Sequence, residues 1–375
     1  MIPLFKVFVN TESILKELKL VFDSGFIGQG QKVEEFENKL RNFFSKEHLI
    51  TTNSATSAEH LFFHLAKLKF KTNDIDVLTT PLTCTATNWP ILANNFRIKW
   101  VDIDPTTLNL DLDDLARKIT SKTKIIVIVH WGGYPVDLCK LNSILDSCES
   151  KFGFRPLVLE DCAHAFGSRF NGSLIGTHGN FCSFSFQAIK HLTTGDGGLL
   201  TIPEYDDYRL MKLLRWYGID RDEKRVDFRC EVDIKNWGFK FHMNDINATI
   251  GLENLKLIDS IVTKHKQNAA YFNKNLKSVP GVSLLENSLP EKESSYWLYT
   301  LLVEDRQNFI KRMSEKNIMV SRVHERNDIH TCVSDFSAFL PTLDVVSKKM
   351  ICIPVGWWVT ESDSEYICDT IKHGW

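Results

Sequence analysis

Apolar positions follow two different spacings along the chain. Several short runs are continuously apolar, and 124–130 (KIIVIVH) and 156–161 (PLVLED) are the clearest of them. Such runs are typical of strands buried on both faces of a parallel sheet. Other stretches carry apolar residues every three or four positions, which predicts helices. We expect strands at 48–52, 77–81, 98–104, 124–130, 156–161, 179–186, 297–303, 318–320 and 350–355, and helices at 11–23, 31–45, 59–68, 82–94, 113–119, 141–150, 205–217, 244–276, 306–316, 343–350 and 360–372.

The order of these segments indicates the fold class. Strands alternate with helices over most of the chain, which favours an α/β sheet with right-handed crossovers. A second unit begins within or after the helix at 244–276, and Pro280-Gly281 marks a clear break. We therefore predict two domains, at 1–255 and 256–375, without internal repeats.

Small hydroxylic residues follow the first predicted strand and precede a helix, at 53–58 (NSATSA). A turn of this kind can bind a phosphate, because free backbone N–H groups and the helix dipole face the anion. The alternative is plain N-capping of the helix by Ser54 or Thr56. This stretch does not by itself decide between the two.

Two carboxylates, Glu160 and Asp161, end a strand that is predicted to be buried. Burying Asp161 without a partner is costly, and a protonated ring nitrogen is one partner that would satisfy it. An N-cap or a salt bridge is the simpler interpretation if Asp161 is taken alone.

Lys190 lies in the stretch 183–198 (SFSFQAIKHLTTGDGG), between segments that read as core strands. A lone lysine is normally a solvated surface residue. In partly dry surroundings, however, its pKa falls, and the amine becomes nucleophilic and able to form a Schiff base. We interpret Lys190 as the residue that carries pyridoxal phosphate (PLP).

Composition narrows the class of protein. The chain has 375 residues and a net charge of −2, which argues against a partner that is nucleic acid or an anionic membrane. No apolar run reaches the roughly 18 residues that span a bilayer, and the first residues do not resemble a secretory signal. Nine scattered cysteines favour reduced thiols in a cytoplasmic protein over disulfides or a metal site.

Three segments together resemble a known family. They are 160–167 (EDCAHAFG), 183–198 and 238–245 (GFKFHMND). They are similar to the DegT/DnrJ/EryC1/StrS family of PLP-dependent sugar aminotransferases, and the match runs along nearly the whole chain. The resemblance implies the aspartate aminotransferase fold (PLP-dependent fold type I). That fold has a large domain with a mixed, mostly parallel sheet and a smaller C-terminal α+β domain.

The resemblance also implies roles for single residues. Lys190 would form the Schiff base with PLP and, once released, would move a proton between the substrate and the cofactor. Asp161 would pair with the pyridinium nitrogen, and His164 would lie near the phenolic oxygen. The cofactor phosphate would be held by Ala55, Thr56, Ser185 and, from the neighbouring subunit of a homodimer, Lys240.

The chain departs from the family pattern at two positions. Lys240 stands where the family often has Asn, and it adds a positive charge. Cys84 stands where the family usually places an aromatic side chain that stacks on the PLP ring. Related sugar dehydratases carry His in place of the Schiff-base lysine. This chain keeps Lys190, with His191 only adjacent, which favours transamination.

The reaction that the resemblance implies moves an amino group from L-glutamate to a nucleotide-linked keto sugar. The implied acceptor is a 4-keto-6-deoxyhexose, and its product would be a 4-amino-4,6-dideoxyhexose such as viosamine or perosamine. A 3-keto sugar aminotransferase and a non-catalytic PLP-binding regulatory protein are the alternatives. Two polar segments offer contacts for the sugar diphosphate, with surface charge as the alternative for each arginine. They are 215–221 (RWYGIDR), which overlaps a charged loop at 218–225, and 325–328 (ERND), within the polar stretch 322–328. The candidate substrate residues there are Arg215, Tyr217, Arg221, His324 and Arg326.

Overall fold

The computed structural model describes residues 1–72, 74–223, 227, 233–286 and 289–375. Of the charged loop at 218–225, residues 224 and 225 therefore lie outside the described residues. The helices are α1 Thr11–Ser24, α2 Gln31–Phe44, α3 Ala55–Phe70, α4 Thr85–Ala93, α5 Leu112–Lys118, α6 Leu138–Phe152, α7 Tyr205–Leu214, α8 Asp245–Leu255, α9 Ile258–Leu276, α10 Arg306–Glu315, α11 Pro341–Lys349 and α12 Glu361–Lys372.

The strands form three sheets. They are β1 Leu49–Thr52, β2 Asp76–Thr79, β3 Arg97–Trp100, β4 Thr123–Val129, β5 Leu157–Asp161, β6 Arg169–Phe170, β7 Ser173–Leu174, β8 Phe181–Ser185, β9 Gly198–Thr201, β10 Val282–Leu284, β11 Lys292–Glu293, β12 Tyr299–Val303 and β13 Met350–Ile353.

The largest sheet has seven strands in the order β1-β9-β8-β5-β4-β2-β3. Neighbouring strands from β3 to β8 pair in parallel, whereas β9 pairs antiparallel with both β8 and β1. The sheet is therefore mixed and mostly parallel, which confirms the predicted fold class. A second, antiparallel sheet has the order β10-β12-β13, and a third has the order β11-β6-β7.

The apolar run of β4 explains how the large sheet is buried. Ile125 and Val127 pack into one core cluster, and Ile126 and Ile128 pack into another. Because successive side chains of a strand point to opposite faces, both faces of the sheet are covered by helices. A third apolar cluster lies around β12, β13, α9 and α12.

Two predicted elements are wrong. The long helix at 244–276 is divided into α8 and α9, and Lys256 and Leu257 lie between them. The predicted strand at 318–320 is absent, because Ile318 forms only an isolated bridge to Ile2. The predicted domain boundary between 255 and 256 stays a prediction. No helix of the described residues is both long and apolar enough to cross a membrane.

Candidate active site

The carboxyl ends of the parallel strands meet at one edge of the large sheet. β5 ends at Asp161, β8 ends at Ser185 shortly before Lys190, and the loop after β2 leads to Cys84. Ligands of open α/β sheets bind at this edge. The fold therefore brings the predicted cofactor residues to the place where a ligand is expected.

Lys190 lies in the turn between β8 and β9. The turn is closed by two backbone hydrogen bonds at Phe186, in which its N–H donates to Gly197 (2.9 Å) and its carbonyl accepts from Thr194 (2.9 Å). Burial of the amine lowers the pKa of Lys190 to about 7, against the opposing effect of the nearby Asp161 and Cys84 side chains. Near neutral pH a large share of this amine is therefore unprotonated and nucleophilic.

Asp161 is the last residue of β5 and is buried. Thr87 Oγ1 donates to its Oδ2 (2.6 Å), and the N–H of Ala163 donates to its Oδ1 (2.9 Å). Within the described part of the chain Asp161 forms no ion pair, so the simpler salt-bridge interpretation is not what the structure has. The carboxylate is held in place by neutral donors, and its charge remains available to a cationic ring nitrogen.

A second carboxyl group, that of Glu59, lies close to Asp161. Ser183 Oγ donates to Glu59 Oε1 (2.9 Å), and Ser183 is opposite Asp161 in the sheet. Burial raises the pKa of Glu59 well above its usual value, and the charge of Asp161 raises it further. Glu59 is thus a neutral acid that leaves Asp161 as the anion of the pair.

His164 follows Asp161 by three residues and is buried. The N–H of Gly132 donates to its Nδ1 (3.3 Å), so that the ring proton belongs on Nε2. Burial lowers the pKa of His164 well below its usual value, and the neighbouring Lys190 charge lowers it further. The imidazole is therefore neutral, and its Nε2 lies 3.5 Å from Nε2 of His324.

The residues predicted to hold a phosphate come together at the start of α3. Ala55 and Thr56 are its first two residues, and Ser185 lies opposite Gly198 in the β8–β9 pair. A Cβ on Gly198 would lie 2.5 Å from the nitrogen of Ala55, so glycine is required for this approach. Ser54 Oγ accepts from Ser57 N–H (3.1 Å), which confirms the N-cap. The first N–H groups of a helix lack a partner within it, so capping and phosphate binding are compatible here.

Cys84 immediately precedes α4 and is half-buried. Its side chain raises the pKa of both Lys190 and Glu59, which places it among the site residues. Asn327 of the C-terminal part fixes this loop, because its amide donates to Thr83 O (2.9 Å) and its Oδ1 accepts from Asn88 (2.8 Å). The sequence analysis did not identify Asn327, since a buried asparagine in a polar stretch carries no distinctive spacing.

His324 lies beside His164. Their rings are parallel within 2°, and their centroids are 5.5 Å apart. Burial lowers the pKa of His324 to about 4, with a further contribution from the charge of Lys190. The structure therefore places this predicted substrate residue next to the reactive lysine.

Two predicted substrate residues are engaged in ion pairs of the same chain. Arg215 is buried, and its guanidinium donates to Glu37 (2.6 Å) and to Thr51 O (2.8 Å). Arg326 pairs with Asp328 (2.6 Å) and Asp344 (2.5 Å). We predicted that each guanidinium either contacts a phosphate or is a free surface charge. In the structure each guanidinium instead pairs with carboxylates of the same chain.

The remaining predicted residues are exposed. Tyr217 has a left-handed backbone (φ 58°), and Arg221 stacks on Trp216 at 4.1 Å. Arg221 also borders an open cavity of about 440 Å³ between α2 and α7. Lys240 is exposed, and its carbonyl accepts from the Asn53 side chain (3.3 Å).

One cluster of metal-ligand types is a hydrogen-bonded part of the core. His130, Glu160 and Cys162 offer atoms within 4.8 Å of one another. His130 Nε2 lies 2.9 Å from Glu160, and its Nδ1 accepts from Val136 N–H (3.0 Å). Both ring nitrogens are therefore engaged within the protein.

The fold and the site together define an enzyme of PLP-dependent fold type I. Three groups at one edge of the sheet fit PLP: the half-buried Lys190 amine fits its aldehyde, the buried Asp161 carboxylate fits its ring nitrogen, and the start of α3 fits its phosphate. The chain belongs to the DegT/DnrJ/EryC1/StrS aminotransferase family, whose model matches residues 9–372. It is a sugar aminotransferase with pyridoxal phosphate as its cofactor.

Similar proteins agree with this membership. The chain is 48% identical to AtS13 from Actinomadura melliaura, with a TM-score of 0.96, over 100% of this chain and 99% of that one. It is 43% identical to the sugar aminotransferase CalS13 from Micromonospora echinospora, with a TM-score of 0.95, over 100% of both chains. The dTDP-4-dehydro-2,3,6-trideoxy-D-glucose 4-aminotransferase of Saccharopolyspora spinosa is 30% identical, over 99% of this chain and 96% of its own. The alternative of a non-catalytic PLP-binding protein is set aside.

Proposed function

We propose that the protein transfers an amino group from L-glutamate to C4 of a nucleotide-linked 4-keto-6-deoxyhexose. The product is a 4-amino-4,6-dideoxyhexose of the viosamine or perosamine type. The observation that carries this proposal is the half-buried Lys190, whose desolvated amine lies within electrostatic reach of the Asp161 carboxylate, at a position where related dehydratases have His. A relative whose name specifies a nucleotide-linked 4-keto sugar supports C4 as the site of transfer.

Each site residue has a defined task in this proposal. PLP, when bound, supplies the electron-accepting ring. Lys190 holds the cofactor, and its amine takes and returns a proton at the substrate carbon, a task that suits a pKa of about 7. Asp161 keeps the proton on the ring nitrogen, and His164 donates its Nε2 proton to an oxygen beside the ring.

The phosphate and the sugar nucleotide require further residues. Ala55 and Thr56 offer the N–H groups of the α3 start, and Ser185 adds a hydroxyl. For the sugar nucleotide we retain His324, beside His164, together with Tyr217 and Arg221. Arginine suits phosphate through its planar set of donors.

A homodimer in the cytoplasm completes the proposal. The segment 236–243 is the part of the chain that we expect to reach the partner's site. Two observations support this expectation: Trp237 is 64% exposed, and Lys240 is exposed beside it. Sedimentation should give a dimer. Lys240→Ala should weaken PLP binding in the dimer, whereas a fully active monomer would contradict the shared site.

The substrate is tested with a panel of nucleotide sugars. Purified enzyme is given glutamate and UDP-, dTDP- or GDP-linked 4-keto-6-deoxyhexoses, and the products are identified by mass spectrometry and NMR. We expect amination at C4 with one nucleotide strongly preferred. Amination of matched 3-keto isomers alone would overturn the proposal in favour of a 3-aminotransferase.

A further inference from the structure

Trp297 is a buried aromatic residue that stands two positions before β12 and is 3% exposed. As part of an apolar run, it reads from the sequence as an ordinary core residue. Its contacts instead place it beside the reactive lysine, although it comes from the C-terminal part of the chain.

Three contacts join Trp297 to the site. Its Nε1–H donates to the carbonyl of Ile189, the residue before Lys190, at 2.9 Å. The amine of Lys190 lies 3.4 Å from the centroid of the indole ring. The imidazole of His164 stacks on the indole at 4.0 Å and 25°. One side chain thus touches both the backbone and the amine of the reactive segment.

The other groups around the amine come from several elements. Asp161 of β5 and Cys84 before α4 favour its protonated form. The positive charge of Lys190 in turn disfavours the protonation of three neighbouring histidines, His164, His191 and His324. Among these neighbours the indole is a neutral surface that attracts a cation through the negative face of its ring.

We propose that Trp297 is a positioning residue for Lys190. The indole N–H of Trp297 holds the carbonyl of Ile189, and its ring face holds the side-chain amine of Lys190. When the amine takes a proton from the substrate it becomes an ammonium ion. The indole face stabilises this cation at the place from which it returns the proton. The family pattern places an aromatic residue at the position of Cys84, which offers only a thiol. Trp297 supplies an aromatic surface from the C-terminal part of the chain instead.

Fluorinated tryptophan provides the test, because fluorine weakens the negative face of the ring while the shape is nearly unchanged. The full-length protein is produced with mono-, di- and trifluorotryptophan, freed of cofactor and mixed with PLP at a series of pH values. The rate of uptake at Lys190, followed by absorbance, rises as the amine loses its proton. We expect the pH at which the uptake rate is half-maximal to fall stepwise with the number of fluorine atoms, by about 0.5 to 1 pH unit in total.

Trp297→Phe is the matched control, since it lacks the target indole but retains the other eight of the nine tryptophans. In this variant fluorination should leave the midpoint unchanged. Loss of the N–H donor should also slow uptake about threefold to tenfold at high pH. A midpoint that fluorination does not move, or that moves equally in Trp297→Phe, would overturn the inference.

The inference rests on the proposed role of Lys190, and a further variant separates the two. Lys190→Ala should take up no PLP in covalent form. If it takes up the cofactor as the unmodified chain does, the proposed role of Lys190 fails. If only the fluorine dependence is missing, Lys190 keeps its role and Trp297 loses its own.

Discussion

At the scale of single residues, the pKa of the Lys190 amine is determined by opposing influences. Burial disfavours its charge, whereas Asp161 and Cys84 favour it. The nearby imidazoles of His164 and His324 have lowered pKa values and remain neutral near neutral pH. The site therefore concentrates its negative charge on Asp161 and leaves the lysine as the group that gains and loses a proton near pH 7.

This balance predicts how pH affects the stability of the cofactor-free protein. The pKa of Lys190 is about 7 in the folded chain and about 10.4 in an unfolded one. Between these values the unfolded chain binds more protons, so the contribution of Lys190 to the free energy of unfolding rises with pH. Lys190→Met removes this contribution. The variant should be more stable than the unmodified chain below pH 7, and thermal unfolding should show the gap closing between pH 7 and about 10.4.

A matched control uses an exposed lysine. Lys16 is exposed on α1, and Lys16→Met is the control for the loss of one lysine amine. It should not reproduce the gap seen with Lys190→Met. A gap for Lys190→Met that stays constant from pH 6 to 10 would show that the amine is not held in a desolvated place.

At the scale of elements, the contact between β9 and the start of α3 shapes the phosphate end of the site. Gly198 opens β9, and added side-chain atoms there would meet Ala55 N and the carbonyl of Ser54. Backbone atoms cannot yield as a flexible side chain can. The requirement for glycine is therefore steric, since Gly198 does not have a positive φ.

Gly198→Ala should accordingly weaken both folding and PLP binding. Overpacking of this kind costs about 1–3 kcal/mol, and the displaced helix start should raise the dissociation constant for PLP about tenfold or more. Fluorescence titration and thermal unfolding measure the two effects. Gly28→Ala is the control, because no atom lies within 4 Å of a Cβ at Gly28. Equal PLP affinity in both variants would contradict the steric argument.

The pair of Arg215 and Glu37 joins α2, β1 and the end of α7. Arg215→Met would leave the buried carboxylate of Glu37 with the longer Arg41 contact (3.4 Å) as its remaining ion pair. Breaking a buried pair costs about 3–5 kcal/mol, and Arg41 should keep the loss at the lower end of this range. The second change Glu37→Gln should restore much of this loss, because Thr51 still donates to the Gln oxygen. Chemical denaturation of the single and double variants tests this. If Arg215→Met instead retains stability and loses affinity for the sugar nucleotide, Arg215 is a substrate residue as the sequence suggests.

At the scale of the whole molecule, the sequence predicts the large sheet well and its irregularities poorly. β4 and β5 are continuous apolar runs, so the sequence of each strand alone indicates that it is buried. The local sequence does not indicate the break between α8 and α9, because the helical pattern continues through Lys256 and Leu257. The same limit applies to the site. Arg215 pairs with Glu37 across 178 positions, and Trp297 bonds the residue before Lys190 across 108 positions. Such pairings arise only when the chain is packed.

The whole molecule therefore brings a lysine, a carboxylate and a helix start together to carry out amino transfer. The most direct test of this central claim follows the cofactor in the purified protein in two steps. Glutamate should convert the absorbance of the bound cofactor from the pyridoxal to the pyridoxamine form. A nucleotide-linked 4-keto-6-deoxyhexose should then restore the first form and release a 4-amino sugar, and Lys190→Ala should do neither. A spectrum that neither glutamate nor any other amino acid changes would contradict the claim.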